Sequence, residues 1–154
     1  TCLDAAGYRA AYVAHVLGMV GRASIPVAAG AGRSLSHDRI ADPVLDDERW
    51  WPRSISPRPD RPGAALDLLA RSIDAGATVV AIGPATNLAL LEAMRPGALG
   101  RARVVQMGGW VRPPAPGLPP WGPGMDFNVQ WDARAAGIVV AAAGDLTLAT
   151  LPGT

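Results

Sequence analysis

A carboxylate and an amide two residues apart follow a glycine-rich loop in the second half of the chain. Asp126 and Asn128 come after a short apolar run that ends in Met107 and the pair Gly108-Gly109. In extended backbone, side chains two positions apart point to the same side, so we expect Asp126 and Asn128 to act together. A carboxylate accepts hydrogen bonds, and an amide both donates and accepts them. The pair therefore predicts a grip for the vicinal hydroxyl groups of a sugar.

The elements around this pair predict where the grip lies. The apolar run at residues 104–107 is typical of a buried strand, and the glycines after it open into a loop. In open α/β sheets, ligands bind beyond the carboxyl ends of the strands. We therefore expect Met107 and the following glycines to form one wall of the site.

The rest of the chain alternates predicted helices and strands. Asp4, Thr86 and Asp132 are the expected N-caps of three of the helices. This alternation indicates crossover connections and an open, doubly wound, mostly parallel α/β sheet in a single domain over residues 1–154, with helices on both faces. The predicted helices are 4–21, 64–75, 87–95 and 132–143, and the predicted strands are 27–30, 78–83, 104–107 and 146–151.

Composition excludes several classes of protein. The chain has 154 residues, 49% of them hydrophobic and 18% charged, with a net charge of +1. No basic patch indicates nucleic-acid binding, and no apolar run is long enough to span a membrane. The single cysteine, Cys2, excludes an internal disulfide and a cysteine-based zinc site. We expect a cytoplasmic protein without a signal peptide.

Residues 31–63 form the least regular part of the sequence. Structureless stretches of this length are usually functional or disordered. The acidic run Asp46-Asp47-Glu48 offers oxygen ligands for a hard cation, although such runs are more often solvated loops. Trp50-Trp51, together with Trp110 and Trp121 near the ends of a proline-rich loop, provides aromatic side chains suited to a partner interface.

Four segments of this chain resemble one enzyme family in the order in which that family carries them. They are residues 21–30 (Gly-Arg-Ala-Ser-Ile-Pro-Val-Ala-Ala-Gly), 80–89 (Val-Ala-Ile-Gly-Pro-Ala-Thr-Asn-Leu-Ala), 104–109 (Val-Val-Gln-Met-Gly-Gly) and 126–128 (Asp-Phe-Asn). The family is that of the inosine-uridine-preferring nucleoside hydrolases. The resemblance implies an N-ribosyl hydrolase that cleaves the N-glycosidic bond of ribonucleosides to give base and ribose.

The resemblance also implies roles for individual residues. Asp126, where the family usually has glutamate, and Asn128 match residues that bind ribose hydroxyls, and Met107 matches a residue lining the ribose pocket. The backbone carbonyl of Ile82 matches one that ligates a catalytic calcium ion. Each residue also has a purely structural interpretation: Met107 as core filler, Asp126 as a polar loop residue and Ile82 as a strand end that only packs.

Other family features have no match in this sequence. An N-terminal aspartate cluster, a C-terminal His-Asp pair and an asparagine between Gly109 and Asp126 are absent, so the chain resembles the central portion of the family and its catalytic residues are unassigned. The family implies Ca²⁺, but we do not expect this chain alone to hold it or to turn over substrate. The expected partners are a small-molecule nucleoside and either a second copy or a complementary segment.

Two other functions compete with nucleoside hydrolysis. One is a non-catalytic module that binds ribose or a nucleoside, or that serves in assembly, and has lost the chemistry. The other is a nicotinamide-dependent Rossmann enzyme. The sequence disfavours the Rossmann enzyme, because no Gly-x-Gly-x-x-Gly joins a strand to a helix and Pro84 stands where a phosphate-binding amide would be needed.

Overall fold

The computed structural model describes residues 1–38 and 55–150. Within those ranges, short 3₁₀ turns at Leu99–Arg101 and Pro123–Met125 precede β2 and α4. No helix in them is long and apolar enough to cross a bilayer. The described elements are α1 (Tyr8–Met19), α2 (Ala64–Asp74), β1 (Thr78–Ala81), α3 (Thr86–Met94), β2 (Arg103–Met107), α4 (Phe127–Trp131), α5 (Ala133–Ala142) and β3 (Asp145–Ala149).

The three described strands form a parallel sheet in the order β1-β2-β3. Val79 pairs with Val104, and Val104 pairs with Leu146 across the next step. Each strand-to-strand connection contains a helix, as parallel neighbours require. The parallel α/β sheet predicted from the sequence is therefore confirmed, with strand bounds shifted by one to two residues.

One hydrophobic core lies between the sheet and its helices. Val104, at the centre of β2, is fully buried among apolar side chains of α2, α3 and α5. These helices turn their small and aliphatic residues inward, because such residues recur every three or four positions along each helix. The most deeply buried large side chains of this core are Leu88, Leu91, Leu99, Val104 and Val139.

The other side of the sheet is apolar but open to solvent. Val80 in β1 is 64% exposed and Ile82, just beyond it, is 75% exposed. Successive strand side chains alternate between faces, so both lie opposite the core-facing Val79 and Ala81. Apolar surface beside an open strand edge promotes association between copies.

We therefore expect Val80→Lys to reduce self-association of the purified chain. A lysine on this face keeps its charge in water only if the face stays uncovered, which disfavours contact between copies. Light scattering over a range of protein concentrations measures the effect. Val111→Lys is the matched control, since Val111 is equally exposed but lies in a loop outside the sheet. Equal effects of the two substitutions would contradict a role for this face.

The N-terminal part departs from two predictions. Helix α1 begins at Tyr8, four residues later than expected, and the carboxylate of Asp4 accepts hydrogen bonds from the backbone N–H groups of Arg9 and Ala10 at 2.9 and 2.8 Å. The predicted strand 27–30 is irregular. A side chain replaces a neighbouring strand there, because the Ala29 N–H donates to the carboxylate of Asp60 at 2.7 Å.

Candidate functional site

Asn128 joins the carboxyl ends of two neighbouring strands. Its Nδ2 group donates to the backbone carbonyl of Met107, the last residue of β2, at 3.0 Å. The same group donates to the carbonyl of Ile82, just beyond β1, at 3.3 Å. The structure thus brings together three of the four residues predicted for the site. Both amide hydrogens are engaged, while Oδ1 of Asn128 accepts no hydrogen bond from residues 1–38 or 55–150, so it remains available to a donor.

Asp126, the fourth predicted residue, is placed differently from the prediction. Residues 126–128 are not extended, because α4 begins at Phe127 and Asp126 is its N-cap. Oδ1 of Asp126 accepts from the Val129 N–H at 3.2 Å, and Oδ2 accepts from the Gly109 N–H. The carboxylate is only 3% exposed. The expected side-by-side pair was wrong because an aspartate three residues before a free helix N–H satisfies that group by capping.

The two glycines after β2 make the contact with Asp126 possible. Gly108 and Gly109 have φ values of 139° and 98°, which L side chains rarely adopt. A β-carbon at Gly108 would lie 3.3 Å from Oδ1 of Asp126. This sharp turn directs the Gly109 N–H at the carboxylate, so the glycine pair and Asp126 shape the floor of the site as one unit.

A second buried carboxylate, Asp132, lies behind the site. It is fully buried and follows α4 directly, at the start of α5. Thr86 Oγ1 donates to its Oδ2 at 2.7 Å, and Ser36 Oγ donates to its Oδ1 at 2.9 Å. The backbone N–H groups of Leu35 and Ala135 donate at 2.8 and 3.1 Å. Asp132 therefore connects three segments that are distant in sequence.

The hydrogen bonds to Asp132 also govern its charge. Burial by itself raises the pKa of a carboxyl group, since it penalises the charged form. At Asp132 the donors from Leu35, Thr86, Ala135 and Ser36 outweigh burial, and the pKa lies below its ordinary value. The group is thus a stable carboxylate at neutral pH, held by bonds that a neutral acid could not all accept.

Sequence reasoning found Asp132 as a helix cap but missed its other partners. The cap is confirmed by the bond from Ala135 N–H. The predicted cap at Thr86 is wrong: α3 starts at Thr86 itself, and no side chain caps it. The Thr86 hydroxyl is 1% exposed and donates to the buried Asp132 instead. An aspartate and a threonine in family-like positions are a weak signal, since either one alone suits a helix start.

The described residues do not fit a calcium site. Ca²⁺ takes roughly six to eight oxygen ligands, usually with several carboxylates among them. The carbonyl of Ile82 is one such oxygen, but residues 1–38 and 55–150 contain no cluster of three or more His, Cys, Asp or Glu that could hold a metal. Asp38 is paired with Arg33 at 2.6 Å. The acidic run at 46–48 and the tryptophans at 50–51 lie outside the described residues.

The tryptophans of the proline-rich loop contact each other through the backbone. Nε1 of Trp110 donates to the carbonyl of Trp121 at 3.1 Å. This bond closes the loop between β2 and the 3₁₀ turn at Pro123–Met125. The loop is therefore anchored next to the carboxyl end of β2, where the candidate site lies.

Comparison with known proteins gives a consistent result. The family model described as inosine-uridine preferring nucleoside hydrolase matches residues 4–154. The chain is 35% identical over 134 residues to the pyrimidine-specific ribonucleoside hydrolase RihA of Salmonella paratyphi C, covering 82% of this chain and 42% of the relative. It is 34% identical over 152 residues to RihA of Shewanella woodyi, covering 89% of this chain and 45% of the relative.

Solved structures show the same fold. The plant nucleoside hydrolase PpNRh1 superposes with a TM-score of 0.69 at 20% identity, covering 97% of this chain and 48% of that one. An inosine-guanosine nucleoside hydrolase superposes with a TM-score of 0.67, also at 20% identity, covering 96% of this chain and 49% of that one. The chain spans less than half the length of these relatives. Since the family model covers nearly all of it, this chain belongs to the inosine-uridine preferring nucleoside hydrolase family.

Proposed function

We propose that this chain binds the ribose of a nucleoside at the carboxyl ends of β1 and β2, as part of a site that hydrolyses the N-glycosidic bond. The observation that carries the proposal is the position of Asn128. Its amide holds the carbonyls of Ile82 and Met107, while its Oδ1 stays available at the rim of the sheet. Ligands of open α/β sheets bind at this rim.

The chemistry of the rim suits a sugar. Oδ1 of Asn128 can accept a hydrogen bond from a ribose hydroxyl. The side chain of Met107 is 40% exposed beside it and offers an apolar surface to the carbon face of the ring. Asp126 is the weaker member of the predicted pair, because both of its oxygens already accept backbone bonds. A carboxylate oxygen can accept two bonds, so Asp126 can still contribute to ribose binding from the floor of the site.

Hydrolysis needs an activated water as well as a bound sugar, because the ribosyl bond breaks through an oxocarbenium-like transition state. The described residues offer Ca²⁺ a single carbonyl, at Ile82, and no carboxylate cluster. We therefore assign ribose binding to this chain and assign no water-activating step to its described residues. The relatives' name, pyrimidine-specific ribonucleoside hydrolase, makes uridine the first nucleoside to test, with inosine beside it.

Calorimetry on the purified chain tests the proposal with ribose, uridine and inosine, each with and without calcium. We expect binding to the wild-type chain and an affinity about 3- to 10-fold lower in Asn128→Ala, the loss of one hydrogen bond of about 0.5–1.5 kcal/mol. Gln130→Ala is the matched control, since Gln130 is an exposed amide on the same helix that donates to the Pro123 carbonyl.

Each outcome decides one part of the proposal. Failure of the wild-type chain to bind any of the three ligands contradicts ribose binding. Equal losses in the Asn128 and Gln130 variants contradict the role of Asn128. A reducing-sugar assay on the same samples measures hydrolysis, and turnover would show that the chain does contain a water-activating group.

A further inference from the structure

Two five-residue segments are tied to each other at both of their ends. Residues 82–86 lead from β1 into α3, and residues 128–132 lead from α4 into α5. At the open end, Asn128 donates to the Ile82 carbonyl at 3.3 Å. At the buried end, Thr86 donates to Asp132 at 2.7 Å. Both ties span four residues on each segment, so displacement at one end changes the distance at the other.

The two ties differ greatly in strength. The contact between Asn128 and Ile82 joins two neutral groups in a solvent-accessible place, where water competes for both. The contact between Thr86 and Asp132 joins a hydroxyl to a carboxylate, and both residues are almost completely buried. Hydrogen bonds with an ionised partner are shorter and about twice as strong as neutral ones. The buried tie therefore sets the geometry, and the open tie follows it.

We propose that Asp132 is a positioning residue for the candidate site, acting through Thr86 to fix the Asn128 amide against the Ile82 carbonyl. The importance of that geometry for ribose binding rests on the proposed function, whereas the geometry itself does not. Asp132 never touches the ligand. Its effect is to orient Asn128 so that both amide hydrogens face the strand ends and Oδ1 faces outward.

Asp132 is itself held from a third direction. The Leu35 N–H and the Ser36 hydroxyl donate to it from a loop almost a hundred positions earlier in the chain. Ser36 Oγ in turn accepts from the N–H of Arg134 at 2.8 Å, in the first turn of α5. The carboxylate cannot shift towards α5 or away from Thr86 without breaking one of these bonds. A group fixed in this way can transmit position to its neighbours.

A pair of substitutions at Thr86 tests the proposal. Thr86→Val removes the hydroxyl at nearly constant shape, and Thr86→Ser keeps it. The measurement is the pair of side-chain NH₂ signals of Asn128 in the ¹H–¹⁵N spectrum of the labelled chain, identified by their absence in Asn128→Asp. We expect these signals to move in Thr86→Val and to stay in place in Thr86→Ser. Ser72→Ala is the control, since it removes a hydroxyl bond to Leu68 in α2, away from the site.

This readout separates positioning from general destabilisation, because an altered stability does not displace one side-chain signal in a chain that remains folded. Unmoved Asn128 signals in folded Thr86→Val overturn the proposal, as does movement in Ser72→Ala of the same size. If Thr86→Val does not fold, Ser36→Ala takes its place, and we expect a smaller movement of the same signals.

Ribose titration of the same samples keeps the two proposals distinct. We expect a 3- to 10-fold weaker ribose affinity in Thr86→Val, equivalent to about one lost hydrogen bond, and wild-type affinity in Thr86→Ser. If the wild-type chain binds no ribose while the Asn128 signals still respond to Thr86→Val, the proposed function fails and the positioning role stands. If ribose binds normally while the Asn128 signals do not respond, the positioning role fails and the proposed function stands.

Discussion

Asp132→Ala is expected to destabilise the chain by about 3 kcal/mol or more, because each buried donor left without a partner costs about 1–3 kcal/mol. The substitution removes the acceptor of four hydrogen bonds, two from hydroxyls and two from backbone N–H groups. Water entering the space left by the carboxylate can satisfy some of these donors, so the loss is smaller than the sum of four. Urea denaturation followed by circular dichroism measures the free energy of unfolding.

The control for this prediction is another aspartate with a visible partner. Asp145 forms an ion pair with Arg103 at 3.0 Å, and both side chains are largely exposed. Exposed pairs contribute little to stability. Asp145→Ala should therefore leave the unfolding curve nearly unchanged. If the two variants lost similar amounts of stability, the buried network around Asp132 would be energetically unimportant.

The pH dependence of stability provides a second test of the same carboxylate. Its pKa is lowered in the folded chain from an ordinary value of 3.8. A lowered folded pKa means that the stabilisation is present above the ordinary value and is lost as the pH falls through the folded pKa. We expect the wild-type chain to lose stability steadily below about pH 4. Asp132→Asn, which does not titrate, should show a flatter profile in that range.

The elements of the fold were accessible from sequence because their signals are local. The apolar spacing in α2 and the apolar run of β1 lie within windows of about a dozen residues. The parallel order followed from the alternation of helices and strands. Residues 27–30 carried the same apolar signal, yet their backbone groups are bound by a side chain of Asp60, about thirty positions away. Nothing in the local pattern distinguishes that environment from a strand.

The candidate site divides along the same line. Ile82, Met107 and Asn128 could be expected to meet, since the carboxyl ends of parallel strands lie at one edge of the sheet. The conformation around Asp126 could not be settled from the period-two argument, because a capping bond to Val129 competes with extended backbone. The role of Asp132 was least accessible. Its bond with Leu35 joins residues 97 positions apart, a distance over which a single sequence carries no pairing signal.

Gly30→Ala is expected to destabilise the chain by about 1–3 kcal/mol, the usual cost of forcing an extra methyl into a packed site. A β-carbon at Gly30 would lie 2.0 Å from the carbonyl oxygen of Thr1 and 2.4 Å from Nδ2 of Asn87. Those two atoms are themselves hydrogen-bonded at 2.7 Å. The methyl group would separate them, and Asn87 would also lose its position for the Ala31 N–H, which donates to its Oδ1 at 2.8 Å.

The matched control is the same substitution where the chain has room. Gly18 lies in α1, and a β-carbon there would meet no atom within 4 Å. Gly18→Ala should stabilise the chain by about 0.5–1 kcal/mol, since alanine loses less backbone entropy than glycine in a helix. Opposite signs of the two changes in thermal unfolding are the expected result. A stabilising Gly30→Ala would mean that the Thr1 carbonyl is free to move, and Asn87 would then hold α3 without help from the N-terminal segment.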